Sequence, residues 1–337
     1  MHLLVELSGE HPDMATAEAV AAASALAGRD ASIVARDEIA LVLEAGDLAP
    51  EALAARLGLA HTVMTSAVSG PLDGAVELAA SVDIRGAGTF RVRARRSEAA
   101  GTAVDGRAIE REAGAAILAR RGARVDLFRP EAEVRVLLCA RAHAGLLGGR
   151  VERTAMVARA SGRRPFSLPV SIHPKFARAM VNLSRAGPGA SLVDPFCGTG
   201  GIIIEAALMG CSAAGSDLDQ RMVAGTRTNL EHLGLRAHLT RCDVGAFPEA
   251  LHGPFDAVVT DPPYGKSTWT GGEGPGPVLA RLFDAAARGL RPGGRMVVCV
   301  PEERMLPHGD NRYVLESVHH LRVHRSLTRH VATLMRA

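Results

Sequence analysis

Two stretches of this 337-residue chain hold residues whose types and spacing can do chemistry. The first is Ser191-Leu-Val-Asp-Pro-Phe-Cys-Gly-Thr-Gly-Gly-Ile-Ile-Ile-Glu205, in which a short apolar entry, a Gly-rich turn and an apolar continuation through Met209 predict strand, tight loop and helix. Such a turn points free backbone N–H groups at a ligand and suits a small anionic cofactor. Gly198, Gly200 and Gly201 remove side chains that would block close approach of a ligand, and Asp194 at the strand end can accept a hydrogen bond from an amine. The spacing excludes a Walker loop, since no Gly-Lys-Ser/Thr follows, and it excludes G-x-G-x-x-G as well. The second stretch is Asp261-Pro262-Pro263-Tyr264, which ends the apolar run Phe255 to Thr260.

Position connects the two. After the expected helix comes Cys211-Ser-Ala-Ala-Gly-Ser-Asp217, a small-residue strand ending in a carboxylate nineteen residues past Gly198. Doubly wound folds place the acid that binds ribose hydroxyls there. A third expected strand, Arg236 to Cys242, runs into Asp243, and a fourth, Phe255 to Thr260, into Asp261. One such Asp is ordinarily a turn residue or a helix N-cap. Four in succession line one rim, because open parallel sheets bind ligands at the carboxyl ends of their strands. Of the two acids in Ser216-Asp-Leu-Asp219, Asp217 is favoured because it falls at the strand end, and Asp219 is the candidate cap of the next helix.

Asp194-Pro-Phe-Cys-Gly-Thr-Gly-Gly201 together with Asp261-Pro-Pro-Tyr264 resembles the paired signatures of S-adenosylmethionine-dependent amino-methyltransferases. The wider context, His173-Pro-Lys-Phe-Ala-Arg-Ala-Met-Val-Asn-Leu183 and Val259-Thr-Asp-Pro-Pro-Tyr-Gly265, is similar to the archaeal tRNA guanine-10 N2-methyltransferases from Arg163 to the end. The resemblance implies that Asp194, Pro195, Phe196, Cys197 and the amides of Gly198, Thr199 and Gly200 hold the methionine end of S-adenosylmethionine. It assigns Asp217 to the ribose hydroxyls and Asp243 to the adenine amino group. The family more often shows Gly-Asp-Ala where this chain has Cys242-Asp243-Val244. The implied reaction adds one or two methyl groups to the exocyclic N2 of guanine, at position 10 of tRNA.

That target explains the second stretch. An exocyclic amine delocalises its lone pair into the ring, so the site must localise the lone pair and align nitrogen with the methyl group. The Asp261 carboxylate and the Pro262 carbonyl can each accept one amine N–H, and Tyr264 offers a stacking surface for the base. Pro262 and Pro263 stiffen the loop. A base inside a helix cannot reach such a pocket, so flipping is expected. The Gly- and Pro-rich segment from Gly265 to Pro277, with Trp269 inside, is expected to order over the flipped base as a lid.

The elements ahead of this site read as a small α/β unit over residues 1–58, then Thr89-Phe-Arg-Val-Arg-Ala-Arg-Arg96, whose apolar and basic residues alternate with the period of a half-buried strand. An Arg-faced edge strand is also a common device against aggregation. The strand, a helix from Asp105 to Arg120 and the turn after Arg124 resemble the THUMP domain of RNA-modifying enzymes, over residues 59–142. By that resemblance Arg91, Arg93, Arg95 and Arg96 contact RNA phosphates. Residues 143–169, interrupted by Gly145, Gly148 and Gly149 and rich in Arg, are expected to be a linker, and 170–337 the methyltransferase domain. The fold class is therefore α/β: a seven-stranded Rossmann-like class I methyltransferase domain C-terminal to a small α/β THUMP-containing RNA-binding module.

Charge is uneven along the chain. Residues 1–84 hold three Arg against thirteen acids, whereas 85–130 hold eleven Arg against five acids. The five Cys have neither C-x-x-C spacing nor an even framework, so no metal site or disulfide scaffold is indicated. No apolar run approaches the roughly 20 residues a membrane span requires. The expected protein is a cytoplasmic monomer with tRNA as partner and no metal. Alternatives are a ribosomal RNA guanine-N2 or nucleic-acid adenine-N6 methyltransferase, and a non-catalytic RNA-binding scaffold. A nicotinamide-dependent oxidoreductase lacks its dinucleotide fingerprint here.

Overall fold

The computed structural model describes residues 2–169, 171–263, 273–324 and 327–337. It divides into two compact units, Met1–Glu152 and Arg153–Ala337.

The first unit is built on one eight-stranded sheet. Its strands are β1 (His2–Leu7), β2 (Ser32–Arg36), β3 (Ala40–Glu44), β4 (Ala60–Gly70), β5 (Thr89–Arg96), β6 (Arg124–Val125), β7 (Ala132–Leu138) and β8 (Ala142–Arg150), in the order β2-β3-β1-β4-β8-β7-β5-β6. Asp105 caps the helix Gly106–Arg121 by accepting from Arg107 N, and Gly122 closes it at a φ of 67°.

This topology corrects two boundaries expected from the sequence. Residues 1–58 and 59–142 share the sheet, because β1 pairs with β4 in antiparallel register, Leu4 beside Met64. The linker does not begin at 143, because β8 lies inside the sheet between β4 and β7. Its glycines are packing devices: a Cβ on Gly148 would lie 2.3 Å from Pro50 Cγ, and one on Gly149 would lie 2.7 Å from Ala54 Cβ. The helix Pro50–Arg56 therefore rests directly on the strand, an approach that only Gly permits.

The second unit holds a seven-stranded sheet of β9 (Ser191–Asp194), β10 (Ser212–Asp217), β11 (His238–Arg241), β12 (Phe255–Thr260), β13 (Leu290–Val300), β14 (Tyr313–His324) and β15 (Leu327–Arg336). The order is β11-β10-β9-β12-β13-β15-β14, with β9 to β13 parallel and β15 antiparallel to both neighbours. From β9 the chain winds outward through β10 and β11, then returns to lay β12 on the other side of β9. Between β9 and β12 the winding reverses, which opens a crevice at their carboxyl ends. Val193, Val258, Leu282, Phe283, Met296 and Val298 belong to the core beneath it, each 5% exposed or less.

Candidate active site

The crevice is a cavity of about 640 Å³ lined by Asp194, Asp217, Asp243 and Asp261, the four acids expected at strand ends. Asp194 and Asp217 close β9 and β10, Asp261 follows β12 directly, and Asp243 stands two residues beyond β11. Pro195, Phe196, Cys197, Gly198, Thr199, Pro262 and Pro263 also line the cavity, and Gly200 does not. Tyr264 and the expected lid residue Trp269 lie outside the described residues.

The Gly loop is held from every side. Thr226 Oγ1 donates to Gly198 O at 2.8 Å, and Thr199 O accepts from Asn229 Nδ2 at 2.9 Å and from Arg164 Nη1 at 3.0 Å. Gly200 sits at a φ of 82°, where a Cβ would meet Thr226 Cγ2 at 2.9 Å; a Cβ on Gly201 would meet Ile172 Cγ2 at 3.1 Å. Both glycines admit neighbouring protein atoms, and Gly201 also lines the cavity. Gly198 is different: a Cβ there would come no closer than 3.8 Å to its nearest neighbour, Phe196 O, so space remains.

Four amides of the same loop are engaged within the protein. Phe196 N donates to Asp194 Oδ1 at 3.1 Å, Cys197 N to Ser216 O at 2.9 Å, Gly198 N to Asp217 Oδ2 at 3.0 Å and Gly200 N to Cys197 O at 2.7 Å. Donors engaged by protein acceptors offer little to a phosphate. The wall is acidic instead: five Asp against Arg221, Arg281 and Arg329, each of which is itself ion-paired with an Asp of the wall. A cationic ligand suits it.

Burial pushes the Asp194 carboxyl up to about 7, against the lowering effect of hydrogen bonds from Thr260 Oγ1 at 2.7 Å and from Phe196 N; the charges of Asp217 and Asp261 raise it further. Burial also raises Asp217, although the amides of Asp219 and Gly198 partly offset it. Each Asp217 oxygen accepts from one of these amides, Oδ1 from Asp219 N and Oδ2 from Gly198 N. Asp219 caps the helix Gln220–His232 through Arg221 N at 2.9 Å. Burial lifts the Cys197 thiol well above its usual range, which disfavours the thiolate. Asp243 accepts from Gly245 N at 2.8 Å and lies 3.5 Å from Arg281 Nε.

Sequence inspection missed Arg329, on β15, whose Nη2 lies 3.1 Å from Asp261 Oδ2. Only the antiparallel return of β15 alongside β13 brings residue 329 to residue 261, and no spacing rule signals that. Thr260 and Arg164 were missed too; a Thr directly before the Asp-Pro-Pro run was the one available hint.

The expected RNA-contacting arginines belong to the first unit, where buried acids engage two of them, Arg91 and Arg95. Arg91 Nε donates to Glu133 Oε2 at 2.8 Å, and Arg95 Nη1 lies 3.2 Å from Glu6 Oε1 while also donating to Leu7 O; its Nη2 donates to Ser8 O. Arg93 is 3.4 Å from Glu110, and Arg96 donates to Gly101 O. Burial would raise Glu133, but hydrogen bonds from Arg91 and Arg135 outweigh it and hold the carboxyl below its usual range. Arg93 and Arg96 border an open hollow that Arg107 also lines.

Among known families, the one described as RMKL-like, methyltransferase domain, matches residues 161–331. The chain is 36% identical to the tRNA (guanine(10)-N2)-dimethyltransferase of Methanothermobacter thermautotrophicus, an alignment that spans all of both chains. Identity to the protein of the same name from Pyrococcus abyssi is 35% over 78% of each chain. Among solved structures, TrmN from Thermus thermophilus is similar over 100% of this chain and 99% of its own, at 25% identity and a TM-score of 0.56.

Proposed function

The chain belongs to the RMKL-like methyltransferase family and aligns end to end with an archaeal tRNA (guanine(10)-N2)-dimethyltransferase, and from that premise we propose that it methylates the exocyclic N2 of guanine, at position 10 of tRNA, using S-adenosylmethionine. The observation that carries this reading is the convergence of the Gly loop, four strand-end acids and Asp261-Pro262-Pro263 on one cavity.

The residues fit the cofactor. Its ammonium and sulfonium groups outweigh its carboxylate in charge, which matches an acid-rich wall, and the cavity falls within the range of about 300–1,000 Å³ typical of small-ligand sites. Asp194 is the acceptor for the ammonium group, Asp217 for the ribose hydroxyls and Asp243 for the adenine amino group. When bound, S-adenosylmethionine supplies an electrophilic methyl on sulfur.

Asp261 then works as an acceptor. Its carboxylate and the Pro262 carbonyl take the two N–H bonds of the guanine amine, which localises the nitrogen lone pair and aims it along the transfer line. Arg329 holds one carboxylate oxygen in place. After transfer the excess amine proton leaves through Asp261. The target base must leave its stack to arrive there, at a cost of a few kcal/mol.

Purified protein incubated with labelled S-adenosylmethionine and unmodified tRNA transcript, followed by nucleoside digestion and mass analysis, tests the reading. N2-methylguanosine or its dimethyl form at position 10, absent with Asp261→Ala, is the expected result. Label in tRNA at another guanine would retain the chemistry and replace the position. No label in tRNA, with label in ribosomal RNA offered in a parallel reaction, would replace the substrate.

A further inference from the structure

On the terminal hairpin and the turn beside it, three potential metal ligands converge. His320 on β14 and His330 on β15 are directly opposed in the antiparallel register, and their rings meet edge to face with centroids 5.0 Å apart. Glu303, in the turn that follows β13, presents one carboxylate oxygen, Oε1, to both rings. It lies 3.4 Å from His320 Nε2 and 3.4 Å from His330 Nδ1.

Hydrogen bonding explains this arrangement poorly. Both separations exceed the range of about 2.7–3.2 Å for N–H to oxygen bonds. His330 Nδ1 is shielded from solvent and has no hydrogen-bond partner among the described residues. A buried ring nitrogen without a partner calls for a ligand or ion. The distances instead match a tetrahedral metal: ligand bonds of about 2.05 Å give tetrahedron edges of about 3.4 Å. The three residues each offer one ligand atom within 4.8 Å of the others, so a modest rotation of one ring completes the triangle.

We propose that Glu303, His320 and His330 form a binding site for one divalent transition metal, zinc by ligand type, which fastens the β14–β15 hairpin to the turn after β13. Two imidazoles and a carboxylate select against magnesium and calcium, which prefer oxygen, and leave a fourth position for water. The hairpin is also the element that supplies Arg329 to Asp261, one residue before His330. In a strand, neighbouring side chains point to opposite faces, so the metal stands apart from the cavity while stiffening the strand that serves it. The proposal does not depend on which nucleic acid is methylated.

The test is cobalt(II) added to untagged, chelator-treated full-length protein, followed by visible absorption and then by displacement with zinc(II). One equivalent with the intense absorption of four-coordinate cobalt, lost in His320→Ala/His330→Ala and in Glu303→Gln, supports the site. Zinc should also raise the melting temperature of the parent protein and not that of the variants. Circular dichroism of each variant verifies that it is folded, and Glu303→Gln, a near-isosteric change, guards against a merely misfolded double variant. Absence of stoichiometric binding, or binding that survives the substitutions and so resides on other histidines, overturns the proposal.

Discussion

Arg329 Nη2 lies 3.1 Å from Asp261 Oδ2, with both side chains largely buried at 12% and 15% exposure. The pair joins the acid that follows β12 to a strand that enters the sheet in the opposite direction, so the carboxylate is braced by an element remote in sequence. Replacing Arg329 with Ala removes this brace on the Asp261 carboxylate. The expected outcome is a kcat lower by about 10–100-fold with cofactor affinity changed less than about threefold. Arg329→Lys keeps the charge but not the planar fork, so it should recover only part of the loss. Single-turnover rates and equilibrium cofactor binding would separate the two effects. Equal loss in both would mean that Arg329 merely supports the fold.

Asp194 makes the chain sensitive to pH in a defined direction. Its folded carboxyl titrates at about 7, above the usual 3.8, so the folded state holds the proton more tightly than the unfolded state. Between those values stability rises as pH falls; above about 7 both states are ionised and the burial cost is fully present. Asp194→Asn should therefore stabilise the ligand-free protein at pH 8, by up to about 4 kcal/mol, and the gain should shrink towards pH 5. Urea denaturation at the two pH values measures it, and an equal gain at both would contradict the titration. Cofactor affinity should respond in the opposite sense, weakening about tenfold per unit below pH 7 in the parent and becoming flatter in the variant.

The site was legible in the sequence where chemistry is local. Asp194, Asp217, Asp243 and Asp261 each end a recognisable strand pattern, and their convergence follows from parallel winding alone. What spacing could not show was long-range packing. Gly200 looked like a ligand-approach residue, yet Thr226, on the next helix, is what forbids a side chain there. Gly145, Gly148 and Gly149 looked like a linker because glycine in a loop has the same one-letter code as glycine beneath a tightly packed helix, as at 148 and 149, or against a neighbouring strand, as at 145. The charge asymmetry of the first unit was also legible, but its use was not: Glu6 from the acidic segment meets Arg95 from the basic one inside the fold.

Gly200 and Gly234 differ in what a side chain would meet, and stability measures the difference. Gly200→Ala meets a left-handed φ of 82° and an occupied methyl position, whereas Gly234→Ala meets a φ of 68° with open space around it. The expected losses of stability are about 2–4 kcal/mol for the first and about 1–2 kcal/mol for the second. Combining Gly200→Ala with Thr226→Ser, which deletes the Cγ2 methyl and keeps the hydroxyl that donates to Gly198 O, should return about 1 kcal/mol. Independent, additive effects in denaturant titrations would show that Thr226 is not what constrains Gly200.

The four arginines of β5 separate into two kinds. Arg91 and Arg95 are engaged by Glu133 and Glu6, which are 5% exposed or less, so removing either guanidinium takes one of several partners from a buried carboxylate: Glu133 keeps Arg135 and Arg150, and Glu6 keeps Arg135 and Thr62. Arg91→Ala and Arg95→Ala should each lower stability by about 1–3 kcal/mol, and any weakening of RNA binding should disappear once the fraction folded is accounted for. Arg96 is exposed and, like Arg93, borders the open hollow that Arg107 shares. Arg96→Ala and Arg107→Ala should leave stability within about 0.5 kcal/mol of the parent and weaken tRNA binding, with the salt dependence of the affinity reduced by about one ion per residue. Filter binding across a salt series, paired with urea denaturation, distinguishes the two kinds. If Arg96→Ala and Arg107→Ala bind tRNA with the parent's affinity and salt slope, the hollow is not an RNA surface and the basic character of this strand serves the fold alone.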